Sequence, residues 1–386
     1  MNVLPPPARH LPEAAYEAVR LDHAPEVDAL LTRLGLGRYV PSTVVALPGR
    51  NDTWAGYTTT GAAAFVKRLV GPADDVRERL GRALAYERVS AAAPDGHLRG
   101  PRLLGHDAGE GLMAFDYLAD ARGGAVLVAD DDHAPDLARR VGTALGLLHD
   151  TTAHIDRHLT EDLDRRPPPL PSSALLEGIP LHVYERSSMA ELQSWRLLQT
   201  DPELITAVDT LLDAERAAPS APAHCDFRLD QLLVTEGSPP SLVAADWEEF
   251  RLADPARDVG SFAGEFLHRS VMEIISPRDD DARAGFADLV LSREAVLRRG
   301  TKALTRLRPV VRSFWAGYLA ARPDADPGLP RRAAAFAGWH ALDRLLAGAA
   351  RRNRLLGIER AAAGVGRAVL LEPARFAPVI GLGEMS

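Results

Sequence analysis

Between Ser42 and Leu69, apolar positions recur in short runs cut by polar turns. That pattern predicts strands over Ser42–Leu47, Thr53–Thr60 and Ala62–Leu69, with Gly49-Arg50-Asn51-Asp52 as the turn between the first two. From Asp74 to Ala93 the period lengthens: Val76, Leu80 and Leu84 fall on every fourth position, acids open the stretch and Pro94 closes it, so a helix is expected. Arg102–His106 and Leu112–Tyr117 again read as extended. Beyond Tyr117 the spacing is mainly helical, as in Asp136–His149 with Leu137, Val141, Leu145 and Leu148 on one face. Helical stretches follow over 183–217 and after Asp258, and the four prolines between Arg165 and Ser173 mark a loop. The chain thus divides into an N-terminal extension of short helices and loops over 1–40, a small lobe of antiparallel strands with one helix over 41–117, and a larger, mainly helical lobe over 118–386. This is an α+β organisation.

The helix after Lys67 carries a charge on its apolar side. At 100° per residue, Glu87 returns to within about 20° of Val76 and Leu80, whereas Glu78 points about 200° away toward solvent. A carboxylate on a buried stripe is costly unless a cation meets it. Lys67, at the end of Ala64-Phe65-Val66-Lys67, is the cation on offer, so a Lys67–Glu87 pair is expected.

Composition bounds the class. Of 386 residues, 46% are apolar and 25% charged, as in an ordinary globular protein. No run of 18 apolar residues suggests a membrane span, and Met1–His10 has no apolar core of a secretory signal. The single cysteine, Cys225, excludes an internal disulfide and fits a reducing cytoplasm. Only Lys67 and Lys302 among the 45 basic residues are lysines, a bias with two readings: a site that needs a compact ammonium, or an accident of an arginine-rich proteome. Residues 293–386 hold 17 basic and 7 acidic residues against an acidic remainder. That asymmetry reads either as a surface for an anionic partner or as solvated helix faces packed on an acidic body.

Chemistry concentrates in His224-Cys225-Asp226-Phe227-Arg228-Leu229-Asp230-Gln231-Leu232-Leu233-Val234 and Leu242-Val243-Ala244-Ala245-Asp246-Trp247-Glu248. Asp226 heads a polar turn that runs into an apolar strand, and Asp246, 20 residues later, ends another. The layout brings both carboxylates to the mouth of a hairpin. Phosphoryl transfer needs such a pair, one to receive a hydroxyl proton and one to hold Mg2+.

With Lys67, Glu87, Met113-Ala114-Phe115-Asp116-Tyr117-Leu118, His224–Gln231, Asp246 and Asp254-Pro255-Ala256-Arg257-Asp258 in this order, the chain resembles the aminoglycoside phosphotransferase-like branch of the protein-kinase fold over roughly residues 42–350. The resemblance implies a two-lobed kinase-like fold and transfer of the γ-phosphate of ATP, with Mg2+, to a hydroxyl. It implies Asp226 as catalytic base, and Asp246 with Gln231 as metal ligands. Lys67 would contact the α/β-phosphates with Glu87 behind it, the turn containing Asn51 would cover the nucleotide, and the backbone around Phe115 and Tyr117 would meet the adenine. His224 and Asp258 are expected to be structural. Gln231 stands where the family has asparagine, and Cys225 where it usually has glycine. Arg228 is open to two readings: stabilising the transferred phosphoryl, or pairing with Asp230 or Asp254.

For the acceptor, the basic run Arg293, Arg298, Arg299, Lys302, Arg306, Arg308 and Arg312, with Arg351, Arg352 and Arg354, weighs against a polycationic aminoglycoside. It favours an acidic acceptor, either Ser/Thr of a peptide in lanthipeptide-type biosynthesis, with a partner lyase, or an anionic small molecule. Alternatives are a small-molecule kinase of aminoglycoside, choline or homoserine type, and a pseudokinase motivated by Gln231. Trp247, Trp315, Tyr318 and Trp339 are candidates for a choline cage, or core residues. Neither nucleic acid nor membrane is an expected partner.

Overall fold

The computed structural model describes residues 19–47, 49–130, 132–237, 241–275, 292–350 and 352–383. Residues 1–18 and Arg351, which entered the expectations above, lie outside them.

A four-stranded antiparallel sheet forms the small lobe. Its strands are β1 (Asp52–Tyr57), β2 (Ala63–Arg68), β3 (Leu103–Asp107) and β4 (Leu112–Asp116), in the order β1-β2-β4-β3. Alternation along β2 sorts its side chains. Ala64 and Val66 are buried under helix α1 (Pro25–Arg33), whose Val27, Leu30 and Leu31 share a core with Trp54 and Leu112. Phe65 and Lys67 point the other way, into a cleft. Register places Lys67 opposite Thr53 on β1 and Met113 on β4. The stretch expected as a strand over Ser42–Leu47 is a single 3-10 turn (Pro41–Thr43) and one isolated bridge, Val45 to Ala55. Threonine hydroxyls take over the ladder there: Tyr57 N–H donates to Thr43 Oγ1 (3.0 Å) and Leu47 N–H to Thr53 Oγ1 (2.9 Å).

Helix α2 (Ala73–Ala92) follows, with Asp74 and Asp75 in its first turn, where the helix dipole favours acids. Leu80, Ala83, Tyr86 and Val89 are buried, and Glu78 is exposed as its angle required.

The larger part is helical. α3 (Pro135–Asp150) lies along α5 (Arg293–Ala321), and α4 (Ala256–Met272) along α6 (Leu329–Ala349). The α3–α5 crossing is close: a Cβ on Gly142 would stand 1.9 Å from the Phe314 carbonyl oxygen. Phe262 on α4 stacks on Phe314 of α5 at 4.0 Å between centroids. Into this body are set two small sheets. β5 (Ala221–Ala223) pairs with β8 (Arg251–Ala253), and β6 (Leu232–Thr235) forms an antiparallel hairpin with β7 (Ser241–Ala244) in which Leu232 faces Ala244. The strands deliver the Asp226 loop and the Asp246 turn to the cleft beneath the small lobe. No described helix is long and apolar enough to cross a membrane.

Candidate active site

A cavity of about 1050 Å³ opens between the two lobes. Phe65, Lys67, Met113 and Phe115 line it from the sheet, and Asp226, Arg228, Gln231 and Asp246 from the hairpin mouth. Trp339, Asp343 and Arg344 of α6 also line it.

The Asp226 loop is fixed from below. Its turn places Cys225 at φ +64°, a left-handed conformation that costs an L-residue about 1–2 kcal/mol. Asp258 holds that turn: His224 N–H donates to Oδ2 (2.7 Å) and Cys225 N–H to Oδ1 (2.8 Å). His149 meets the same carboxylate at 3.1 Å and Tyr318 at 3.0 Å, so the anchor is buried and saturated. Burial alone would raise the Asp258 carboxyl; the His149 hydrogen bond and the other donors bring it below its ordinary value. The His224 ring donates from Nε2 to the Ala245 carbonyl (2.9 Å), which leaves Nδ1 to accept Asp226 N–H at 3.3 Å. Asp246 itself sits at φ +67°. His224 and Asp258 are both hydrogen-bonded within this loop.

Asp226 and Arg228 pair two atoms to two: Nε lies 2.9 Å from Oδ1, and Nη2 donates to Oδ2 at 3.1 Å. Arg228 Nη1 also reaches Asp230 at 3.5 Å. Asp254, the other partner the sequence offered, is held by Arg332. Burial raises the Asp226 carboxyl above its ordinary value, against the pull of Arg228 and His224.

Lys67 does not pair with Glu87. Its ammonium hydrogen-bonds to Asp246 Oδ1 and lies 2.8 Å from Glu248 Oε2. Two carboxylates on one turn offer a buried ammonium more than one carboxylate on the helix does. Burial would lower the lysine, but Asp246 and Glu248 outweigh it and raise it. Glu87 lines the same cavity, finds no ion pair among the described residues, and is pushed up to about 7 by burial.

Glu248, 4% exposed, gathers the small lobe around it. Besides Lys67 it takes Arg79 Nη2 on Oε1 (2.9 Å), Asn51 Nδ2 on Oε2 (3.2 Å) and the Arg50 guanidinium. Burial alone would raise its carboxyl; Lys67, Arg79 and Arg50 hold it down to about 2. The Asn51 carboxamide is engaged by the protein, since its Oδ1 accepts Val70 N–H (3.1 Å) and Arg79 Nη2 (2.7 Å). Tyr86 of α2 stacks on Trp247 at 3.6 Å, and Arg82 Nε donates to the Glu248 carbonyl at 2.7 Å. Phe115 and Tyr117 line the cavity, with Tyr117 N–H bonded to Ala63 O at 3.2 Å. Sequence reasoning missed Arg79 and Glu248. The signal was present: Arg79, three residues after Val76, lies on the same buried stripe that made Glu87 conspicuous.

The oxygens of Asp246 and Gln231, both lining one cavity, fit a hard cation such as Mg2+, which takes one or two carboxylates and completes its shell with water and phosphate.

No curated protein sequence matches this chain significantly. Among solved structures, the fold is similar to LicA in complex with AMP (11% identical, TM-score 0.50, covering 90% of this chain and 98% of that one). It is also similar to an ethanolamine kinase of Plasmodium vivax (14%, TM-score 0.46, 88% and 86%) and a macrolide 2′-phosphotransferase of Brachybacterium faecium (16%, TM-score 0.45, 88% and 97%). The model of the phosphotransferase enzyme family matches residues 44–301. The chain therefore belongs to the phosphotransferase enzyme family, in a kinase-like fold, and is a phosphotransferase that acts on a hydroxyl group.

Proposed function

We propose that this chain moves the γ-phosphoryl group of ATP to a hydroxyl of a small-molecule acceptor. The observation that carries the reading is the convergence of Asp226, Asp246 and Lys67, from three segments, on one cavity. Asp226 accepts the acceptor's hydroxyl proton, and burial, by raising its carboxyl, makes it a better base than an exposed aspartate. Arg228 orients that carboxylate and brings positive charge beside the acceptor oxygen. Lys67 binds the phosphate tail, and Asp246 with Gln231 holds Mg2+. When bound, the ion offsets charge on the phosphates. The turn bearing Asn51 covers the nucleotide through its backbone, because its side chain is occupied. The backbone near Phe115 and Tyr117 meets the base.

The peptide acceptor, and with it a partner lyase, rested on the basic C-terminal run. Its members from Arg293 to Arg312 lie on α5, and none of them lines the cavity. At the acceptor end Arg228, Arg257 and Arg344 are matched by Asp230, Glu215 and Asp343. A balanced, partly aromatic wall favours a small molecule over an acidic peptide. With Cys225 as the only cysteine, we place the reaction in a reducing compartment, the cytoplasm.

The test is incubation with ATP and Mg2+ against amino alcohols, sugars, aminoglycosides and Ser/Thr peptides, read by mass spectrometry as gain of one phosphate. Transfer to a small alcohol that disappears in Asp226→Asn and Asp246→Asn is the expected result. Transfer to peptide alone removes the small-molecule reading, and transfer that survives both substitutions removes the mechanism.

A further inference from the structure

Glu248 stands where three segments of the small lobe meet. The turn 49–53 reaches it through Arg50 and Asn51, helix α2 through Arg79, and strand β2 through Lys67. Arg79 is 1% exposed and makes contacts on both sides of this junction, donating to Asn51 Oδ1 (2.7 Å) and to the Val70 carbonyl (3.0 Å) as well as to Glu248. Glu87, the acid that the helical spacing matched to Lys67, meets no cation among the described residues. The polarity of the coupling is therefore reversed: the helix supplies a cation, and the acid comes from the turn after Asp246.

We propose that Glu248, held by Arg79, is a positioning residue for phosphoryl transfer, fixing Lys67 beside Asp246 and docking α2 and the turn 49–53 over the nucleotide side of the cleft. The inference rests on the function proposed above and adds to it how the small lobe is aligned. Geometry supports it independently of Lys67. Arg82 bonds the Glu248 carbonyl at 2.7 Å and Trp247 stacks on Tyr86, so the turn and the helix move as one body. Losing the Glu248 charge leaves the Arg79 and Arg50 guanidiniums facing Lys67 with one acid fewer, and like-charge repulsion then pushes the lysine off its place.

The test uses the full chain and two readouts: calorimetric binding of Mg2+ with AMP-PNP, and steady-state transfer. Glu248→Gln keeps the shape and an acceptor oxygen for Arg79. It is expected to weaken AMP-PNP binding and raise the KM for ATP at least tenfold, with the KM for the acceptor changed less than threefold. Arg79→Met should act in the same direction, and Arg79→Lys should recover part of the loss. Glu248→Asp serves if Glu248→Gln does not fold, with the same direction expected. Wild-type nucleotide affinity and KM in Glu248→Gln, with only a lower Tm, would overturn the proposal. So would a shifted Mg2+ activation constant at saturating ATP, which would make Glu248 a metal ligand. Asp226→Asn separates the two readings, since it should bind AMP-PNP as wild type while losing transfer. If wild type itself binds no AMP-PNP, the proposed function falls and this inference with it.

Discussion

His224 Nε2 lies 2.9 Å from the carbonyl oxygen of Ala245, and this one bond ties the loop carrying Asp226 to the residue before Asp246. The same ring accepts Asp226 N–H through Nδ1, so a single imidazole sets the spacing of the two acids. His224→Phe keeps a planar ring and removes both bonds, leaving a buried carbonyl unpaired. A loss of about 1–3 kcal/mol is expected in urea unfolding. Transfer should fall at least tenfold in kcat, with the KM for ATP little changed, because the acids lose register while Lys67 keeps its site. Wild-type kcat would show that the tie is dispensable.

Cys225 tests the backbone below that tie. Its φ of +64° suits glycine, and Asp258 holds the turn whichever residue sits there. Cys225→Gly should therefore be within about 1 kcal/mol of wild type, relief of strain offsetting the greater freedom of the unfolded chain. Cys225→Val, β-branched in a left-handed conformation, should lose about 2 kcal/mol or more. Thermal unfolding of the pair checks the ordering, and equal Tm values would contradict it.

The small lobe was legible because its signals are local. Alternation gave β1, β2, β3 and β4 to within a few residues, and the fourfold spacing gave α2 to within one residue at each end. What failed was the choice of partners. Lys67 was matched to the acid nearest in the pattern, Glu87, but the acids it meets lie 179 and 181 positions away, on a 3-10 turn with no periodic signature. Ser42–Leu47 failed for a related reason: side-chain hydroxyls of Thr43 and Thr53 replace backbone pairing, and a hydrophobicity pattern does not register them. The basic run on α5 does not line the cavity, because which face of a helix meets a cavity depends on its packing against α3 and α4, which the charge pattern does not carry.

His133 predicts a loss of stability in acid. It is buried against Phe262 and Phe266, its Nδ1 finds no hydrogen-bond partner among the described residues, and burial lowers it to about 4 from an ordinary 6.5. The unfolded chain takes up a proton that the folded chain refuses, so stability is complete above pH 6.5 and drains as pH falls toward 4. One such group accounts for about 3 kcal/mol at most. The expected result is that His133→Leu flattens the pH dependence of urea unfolding between 6.5 and 4. An unchanged slope would place the acid sensitivity elsewhere.

Glu87 predicts the opposite trend on the alkaline side. Its carboxyl is raised from 4.5 to about 7 by burial, with no counter-ion among the described residues. The folded protein therefore holds a proton the unfolded chain has released, and stability declines as pH rises from 4.5 through 7. The full shift corresponds to about 3 kcal/mol, which partial solvent access reduces to about 1 kcal/mol. Glu87→Gln keeps the shape and cannot ionise, so it should raise stability by that amount at pH 8 and leave it unchanged at pH 4. Paired unfolding curves at the two values measure the difference. A destabilised Glu87→Gln at pH 8 would mean that the charged carboxylate has a cation after all, and Lys67, across the same cavity, would be the first candidate.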